Sequence, residues 1–132
     1  MRKIVELCHS YDVPYIKHLD GNTTKLLDLL VNEVGIDAHH PFEPSAGMDI
    51  YALKKQYGER ITLIGNLDCG ELLSNGSPDQ VVKQAQALVR GNASGGGYIF
   101  SSSNSIHDGV KLENLYAMLD TVKSCGRYPI KY

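Results

Sequence analysis

Cysteine is scarce and scattered. Cys8, Cys69 and Cys125 are odd in number, widely spaced and contain no Cys-x-x-Cys pair. That argues against a disulfide framework and a zinc knuckle, and it suits a reducing, cytoplasmic setting. No apolar run approaches the ~18 residues of a membrane span. The opening Met1-Arg-Lys-Ile-Val-Glu-Leu7 lacks the unbroken apolar stretch of a signal peptide. Charge of neither sign dominates: the net charge is -2 and the pI about 6.2. A generic nucleic-acid or anionic-membrane surface is therefore not expected. There is no Gly-x-Ser-x-Gly elbow, hence no support for a hydrolase triad. The one glycine run, Gly95–Gly97, precedes an apolar segment instead of opening a helix, so it is not a phosphate loop. What remains is ordinary globular composition, 42% hydrophobic and 21% charged over 132 residues, enough for a single domain with a modest core.

Within that composition one arrangement recurs. A helical pattern over residues 2–10 puts Ile4, Val5 and Cys8 on one side. A short strand follows at Tyr15–Lys17. Asn22 or Thr23 then caps a helix with Leu26, Leu27, Leu30, Val31 and Val34 on one face, and Gly35 ends it. A second strand begins at Ile36-Asp37-Ala38 and runs into His39-His40-Pro41-Phe42-Glu43-Pro44, where two prolines force a shaped loop. A helix from about Asp49 to Tyr57 turns Ile50, Leu53 and Tyr57 inward, and a third strand covers Ile61–Gly65. Ser77-Pro78-Asp79-Gln80 spells a capping box with proline at the first helical position, opening a helix to about Arg90. A fourth strand covers Tyr98–Ser101. A last helix, about Leu112 to Ser124, is expected to bury Leu115, Leu119 and Val122, leaving Tyr128–Tyr132 as a tail. The order α(βα)₄, with short apolar strands, predicts parallel βαβ crossovers in one sheet.

Polar residues gather where strands give way to helices: His18, Asp20 and Asn22; His39, His40 and Glu43; Asn66, Asp68, Cys69 and Glu71; Ser101–Ser103, Asn104 and His107. The opposite ends are glycine-rich or plainly solvating. Parallel α/β folds build their sites at strand carboxyl ends. His18 and Asp20, two apart, share a face if the strand persists that far, and adjacent His39 and His40 point opposite ways, so at most one faces the site. His18, Asp20 and Glu43 are the best metal-ligand set, though spacing alone does not bring them together. Cys69 suits packing better than nucleophilic work.

Four segments in fixed order carry a resemblance: His18-Leu-Asp-Gly-Asn22, His40-Pro-Phe-Glu-Pro-Ser-Ala-Gly-Met-Asp49, Ile64-Gly-Asn-Leu-Asp-Cys-Gly70, and the run from Gly95 to Ile106. Together they resemble the C-terminal part of the uroporphyrinogen decarboxylase superfamily, which also holds corrinoid- and coenzyme M-linked methyltransferases. The resemblance spans essentially the whole chain. It implies the C-terminal half of a (β/α)₈ TIM barrel, residues 1–132 forming one partial domain of about four βα units, with residues 2–10 as the trailing helix of a preceding unit. It further implies a cytoplasmic enzyme with a small-molecule substrate.

Two activities compete. As a decarboxylase the intact barrel would act on a porphyrinogen or related substrate without a cofactor. Here His18, Asp20 and Asn104 are the catalytic candidates, and Asn22, Glu43, Asn66, Asp68 and Ser102 the substrate-binding ones. As a methyltransferase it would hold zinc or another divalent metal through His18, with Asp20 and Glu43, beside a corrinoid partner. The zinc members' pattern of His-x-Cys at the first tip and Cys after the last strand reads here as Asp20 and Asn104, which removes both thiolates. The arginines, Arg2, Arg60, Arg90 and Arg127, avoid the strand ends, so a polycarboxylate substrate finds no Arg cluster in this chain. A half barrel also leaves two strand edges and an interior face open. The expectation is a chain inactive by itself that pairs with a second copy or a complementary half.

Overall fold

A computed structural model describes residues 1–131, and the last residue of the expected tail, Tyr132, lies outside the described residues. Four strands, β1 (Ile16–His18), β2 (Ala38–His40), β3 (Thr62–Leu67) and β4 (Tyr98–Ser102), form one parallel sheet in the order β1-β2-β3-β4. Strictly sequential order with right-handed crossovers puts every connecting helix on the same side of the sheet. That is the winding of a barrel wall, not of a doubly wound sheet, and the chain is a partial (β/α)₈ barrel.

The helices are α1 (Arg2–His9), α2 (Thr24–Asp28), α3 (Ile50–Tyr57), α4 (Leu72–Asn75), α5 (Pro78–Asn92) and α6 (Leu112–Cys125). α2 runs on as a π-helical segment, Leu29–Val34. Gly35 ends it with φ 79°, a conformation only glycine adopts cheaply. The capping box on α5 is present as the sequence spells it: Ser77 Oγ accepts from the Gln80 amide, and the Gln80 side chain accepts from the Ser77 amide. Asp49 lies just outside α3 and caps it, accepting from the amides of Tyr51 and Ala52.

Register explains the two faces of the sheet. Lys17, His39, Leu63 and Tyr98 are paired across the strands and form the row beneath the helices. His39 and Leu63 are fully buried there, Leu63 in one core with Leu27, Ile50, Leu53, Leu67, Leu73, Val81 and Leu88. The neighbouring rows, Ile16, His18 and His40 on one side of the sheet's midline and Ile64 with Ile99 on the other, face away from the helices. Ile16 and Ile99 are 54% and 51% exposed, so this barrel-interior face is open.

Several expectations shift by a residue or two. β1 and β2 begin later than read and run to their histidines, while β3 and β4 extend to Leu67 and Ser102. Val5 is buried but Ile4 on the same helix is exposed. Leu26 likewise points outward while Leu27 and Leu30 are buried. On α6 the buried residues are Asn114, Met118 and Thr121, and Leu119 is exposed. The reason is α4, a short helix the periodicity did not announce. Asn114 Nδ2 lies 3.0 Å from the carbonyls of Leu73 and Gly76 and 3.4 Å from that of Leu72, and this polar anchor turns α6 by one position. The tail does not stay free either: Tyr128 Oη donates to the Ala93 carbonyl at 2.7 Å, and Ile130 packs against Val89 and Ala93. Among the described residues no helix is long and apolar enough to cross a membrane.

Candidate functional site

Because β1 and β2 continue to His18 and His40, and these two are register partners, their side chains emerge side by side on the open face. Their Nδ1 atoms are 2.8 Å apart, with ring centroids 4.8 Å apart. The outer nitrogens are also engaged. His18 Nε2 lies 3.0 Å from Asp20 Oδ1, and His40 Nε2 lies 3.3 Å from the Ser102 carbonyl oxygen. Both ends of this chain are acceptors, so the outer ring nitrogens must each donate. A proton shared across the Nδ1–Nδ1 contact would then be the third on two imidazoles and would place one net positive charge beside the Asp20 carboxylate. Burial lowers the His40 pKa, the Ser102 carbonyl partly opposes that, and the neighbouring His18 charge lowers it further.

His39 points to the other face and is a core residue. Its Nδ1 donates to the Lys17 carbonyl at 3.0 Å, which leaves Nε2 to accept from Thr23 Oγ1, also at 3.0 Å. The Thr23 hydroxyl is thus spent on His39, and Asn22 Oδ1 takes the amide of Thr24 instead. Burial lowers the His39 pKa to about 4, so it is neutral.

Asn104, beyond β4, stitches the rim. Its amide donates to Asp20 Oδ1 at 3.1 Å and to Glu43 Oε1 at 3.2 Å, while Glu43 Oε2 accepts the Gly21 amide. Tips of β1, β2 and β4 are thereby tied together. A cavity of about 620 Å³ opens beside this knot, lined by Glu43, Asp68, Cys69, Ser103, Asn104 and His107 among others.

The expected site residues thus divide. His18, Asp20, Glu43 and Asn104 meet. Ser102 joins through its carbonyl, its hydroxyl being turned to the Asn104 carbonyl at 2.7 Å. Asn22 braces the rim by donating to the Ala46 carbonyl. Asn66 is buried and donates to the Phe42 carbonyl at 2.8 Å, and Asp68 Oδ1 accepts the amides of Gly70 and Glu71. Both line a separate cavity of about 520 Å³ between α3 and α5, although Asp68 also borders the first. His40 is the site member the sequence reading left out. The alternation rule allowed one of the two histidines to face the site, and only the register shows which.

The donor set does not suit a zinc ion. Among the described residues no three His, Cys, Asp or Glu side chains are grouped to hold a metal. Both nitrogens of His18 are committed, the Asn104 amide sits between the two carboxylates, and Cys69 Sγ lies 3.5 Å from Ser103 Oγ, away from the histidines.

Known proteins share this architecture. A solved methyltransferase from Methanosarcina mazei superposes with a TM-score of 0.75 at 20% identity, covering 96% of this chain and 36% of that one. A methylated-thiol–coenzyme M methyltransferase of the same organism is 27% identical over 124 residues, 94% of this chain and 30% of the relative. A uroporphyrinogen decarboxylase of Coxiella burnetii is 30% identical over 76 residues, 58% of this chain and 20% of the relative. The chain thus spans about a fifth to a third of the length of these relatives. Residues 1–125 match the uroporphyrinogen decarboxylase (URO-D) family as a whole, and the chain belongs to that family.

Proposed function

We propose that this chain supplies the proton-handling wall of a URO-D-type barrel and that the intact enzyme is a decarboxylase of a porphyrinogen or related substrate. The observation that carries the reading is the hydrogen-bonded chain from Asp20 through His18 and His40 to the Ser102 carbonyl, a geometry suited to carrying one extra proton at the open rim. Cleavage of a carbon–carboxylate bond releases CO₂ and leaves the electron pair on carbon. Transfer of the His18 proton to that carbon replaces the carboxyl group by hydrogen, and water reprotonates the pair. Asp20 stabilises the imidazolium before transfer, and Asn104 holds Asp20 and Glu43 in place. A positioned general acid of this kind contributes about 10²–10⁴-fold.

A methyltransferase reading has one observation in its favour: the coenzyme M methyltransferase match spans 94% of the chain, against 58% for the Coxiella decarboxylase. It would require a metal and a corrinoid partner, and the committed nitrogens of His18 speak against it.

Three measurements separate the readings. Imidazole ¹⁵N NMR at neutral pH is expected to show three ring N–H protons on His18 and His40, one strongly downfield and lost in His40→Phe. Metal analysis is expected to find no stoichiometric zinc, and one equivalent of zinc would refute the proton-chain reading. Uroporphyrinogen III is expected to be untouched by the isolated chain, which lacks half of the barrel wall, so turnover by the chain alone would overturn its incompleteness.

A further inference from the structure

The cavity of about 520 Å³ between α3 and α5 has no part in the histidine chemistry. Its lining falls between positions 44 and 84, on two consecutive βα units, and of its residues only Asp68 also borders the cavity at the rim. Local sequence builds it. Pro41 and Pro44 shape the chain after β2, and Asn66 pins that chain to β3 by donating from Nδ2 to the Phe42 carbonyl at 2.8 Å. Met48 and Ile50, both buried, then give an apolar lining together with Pro44 and Leu72. The Tyr51 ring forms a further wall. It lies against α5 at Gly91, where any Cβ would collide with the ring, so glycine at that position is what lets the ring sit there.

The polar lining is weighted toward acceptors. Asn66 is only 6% exposed, and with Nδ2 committed to Phe42 its Oδ1 receives no hydrogen bond from the described residues. Asp49 and Asp68 repeat the pattern. Oδ1 of Asp49 takes the amides of Tyr51 and Ala52, and Oδ1 of Asp68 takes those of Gly70 and Glu71. Among the described residues neither Oδ2 has a donor. A buried acceptor without a donor is costly, so an occupant that brings N–H groups is favoured. Charge points the same way: two carboxylates line the cavity against one ammonium, that of Lys83, which stands exposed on α5. We propose that this cavity binds a small organic amine, a cationic N–H donor on a compact apolar body. The N–H groups donate to Asn66 Oδ1 and the free carboxylate oxygens, the body packs against Met48, Ile50 and Leu72, and Tyr51 offers an aromatic face to the cation. An organic anion of the same shape is rejected by the two carboxylates. The proposal stands or falls independently of the chemistry assigned to His18 and His40.

The test titrates the whole chain at neutral pH with benzylamine, a cation under these conditions, and with benzyl alcohol and benzoate as controls of matching shape. Amide NMR is expected to show saturable shifts at Tyr51, Ala52, Gly70 and the Asn66 side chain, with a Kd of about 1 mM for so small a probe. Benzyl alcohol should bind about fivefold more weakly, having lost the charge, and benzoate should not bind. Asp68→Asn keeps an acceptor for the Gly70 and Glu71 amides while removing the charge, and should weaken benzylamine about fivefold. Lys83→Gln, at an exposed helical position, should leave the unfolding curve unchanged and tighten benzylamine about twofold by removing the opposing cation. The proposal is overturned by the absence of saturable shifts up to about 20 mM, or by shifts confined to other parts of the chain. Benzoate binding as well as benzylamine would overturn it too, as would an affinity indifferent to both variants.

Discussion

His39 offers a direct test of how burial sets stability. The ring is fully buried beneath α2, with Nδ1 donating to the Lys17 carbonyl and Nε2 accepting from Thr23. Burial lowers its pKa to about 4, against an ordinary 6.5. The unfolded chain therefore takes up a proton as pH falls through 6.5, while the folded chain resists until about pH 4. Protonation favours the unfolded state, so stability is flat above pH 6.5 and declines across this window. The full gap, at ~1.4 kcal/mol per pH unit, corresponds to about 3 kcal/mol, of which about 2 kcal/mol is lost by pH 5. Against a total of roughly 5–15 kcal/mol, that is a large share. His40 and Asp37 also have lowered pKa values, His40 mainly through burial, and Asp37 through the Tyr15 amide and His9 against its own burial. They weaken the fold at low pH too, so the measurement must be a difference. Urea unfolding of wild type and of His39→Gln, which keeps a donor and an acceptor but does not titrate, is compared at pH 7.5 and 5. The wild type should lose about 2 kcal/mol more than the variant, a midpoint displacement of roughly 1 M urea for a domain of this size. Parallel pH profiles for the two proteins would refute the argument, because they would mean that His39 either protonates in the folded state or contributes nothing when buried.

Other substitutions test the packing that positions the site. Asn114→Ala removes the donor to three carbonyls around the end of α4, and urea unfolding should show a loss of about 2 kcal/mol. Gly65→Ala would drive a Cβ into the Pro41 carbonyl oxygen from a φ of 137°, and a loss of roughly 3 kcal/mol or more is expected by thermal unfolding. Leu63→Ala, at a fully buried position between strand and helices, should cost about 3 kcal/mol in the same assay. Ser77→Ala breaks the capping box of α5 at a cost of about 1 kcal/mol, and a wild-type-like melting curve would show that the cap is dispensable.

The fold was legible where local signals and burial agree. Gly35, the Ser77-Pro78-Asp79-Gln80 start and the paired Ile50, Leu53 and Tyr57 each point to an element that exists within a residue or two. Element ends were less legible because they depend on partners remote in sequence. β2 reaches His40 because β1 is there to pair with it, and α6 turns toward Asn114 because α4 presents carbonyls to it. For the site, the gathering of polar residues at strand ends was visible, and four of them do meet. Which ones meet was not visible. Asn66 and Asp68 sit at a strand end as His18 does, yet their side chains bond to the Phe42 carbonyl and to the Gly70 and Glu71 amides, backbone-bracing duties that no spacing rule distinguishes from catalysis. His40 was missed because its role comes from neighbours 22 and 62 residues away, His18 and the Ser102 carbonyl.

The two departures from the His-x-Cys and Cys pattern implied by the family resemblance are linked by a hydrogen bond, since the Asn104 amide donates to Asp20 at 3.1 Å. Two thiolates and an imidazole would present a charge of -2 to a dication. A carboxylate at 20 and an amide at 104 present only -1 there, and the amide spans Asp20 and Glu43 without neutralising either. What faces Asp20 instead is the His18 ring, whose Nε2 lies 3.0 Å from its carboxylate. A cysteine at 104 would leave Asp20 and Glu43 unbridged, and a cysteine at 20 would leave the Asn104 amide with only Glu43 to accept from it. The two departures are therefore coupled through one hydrogen bond, and a double-mutant cycle over Asp20→Ala and Asn104→Ala should show a coupling of about 1 kcal/mol in urea unfolding. Additive effects of the two replacements would mean that the rim is held by other contacts and that the link between these departures is incidental.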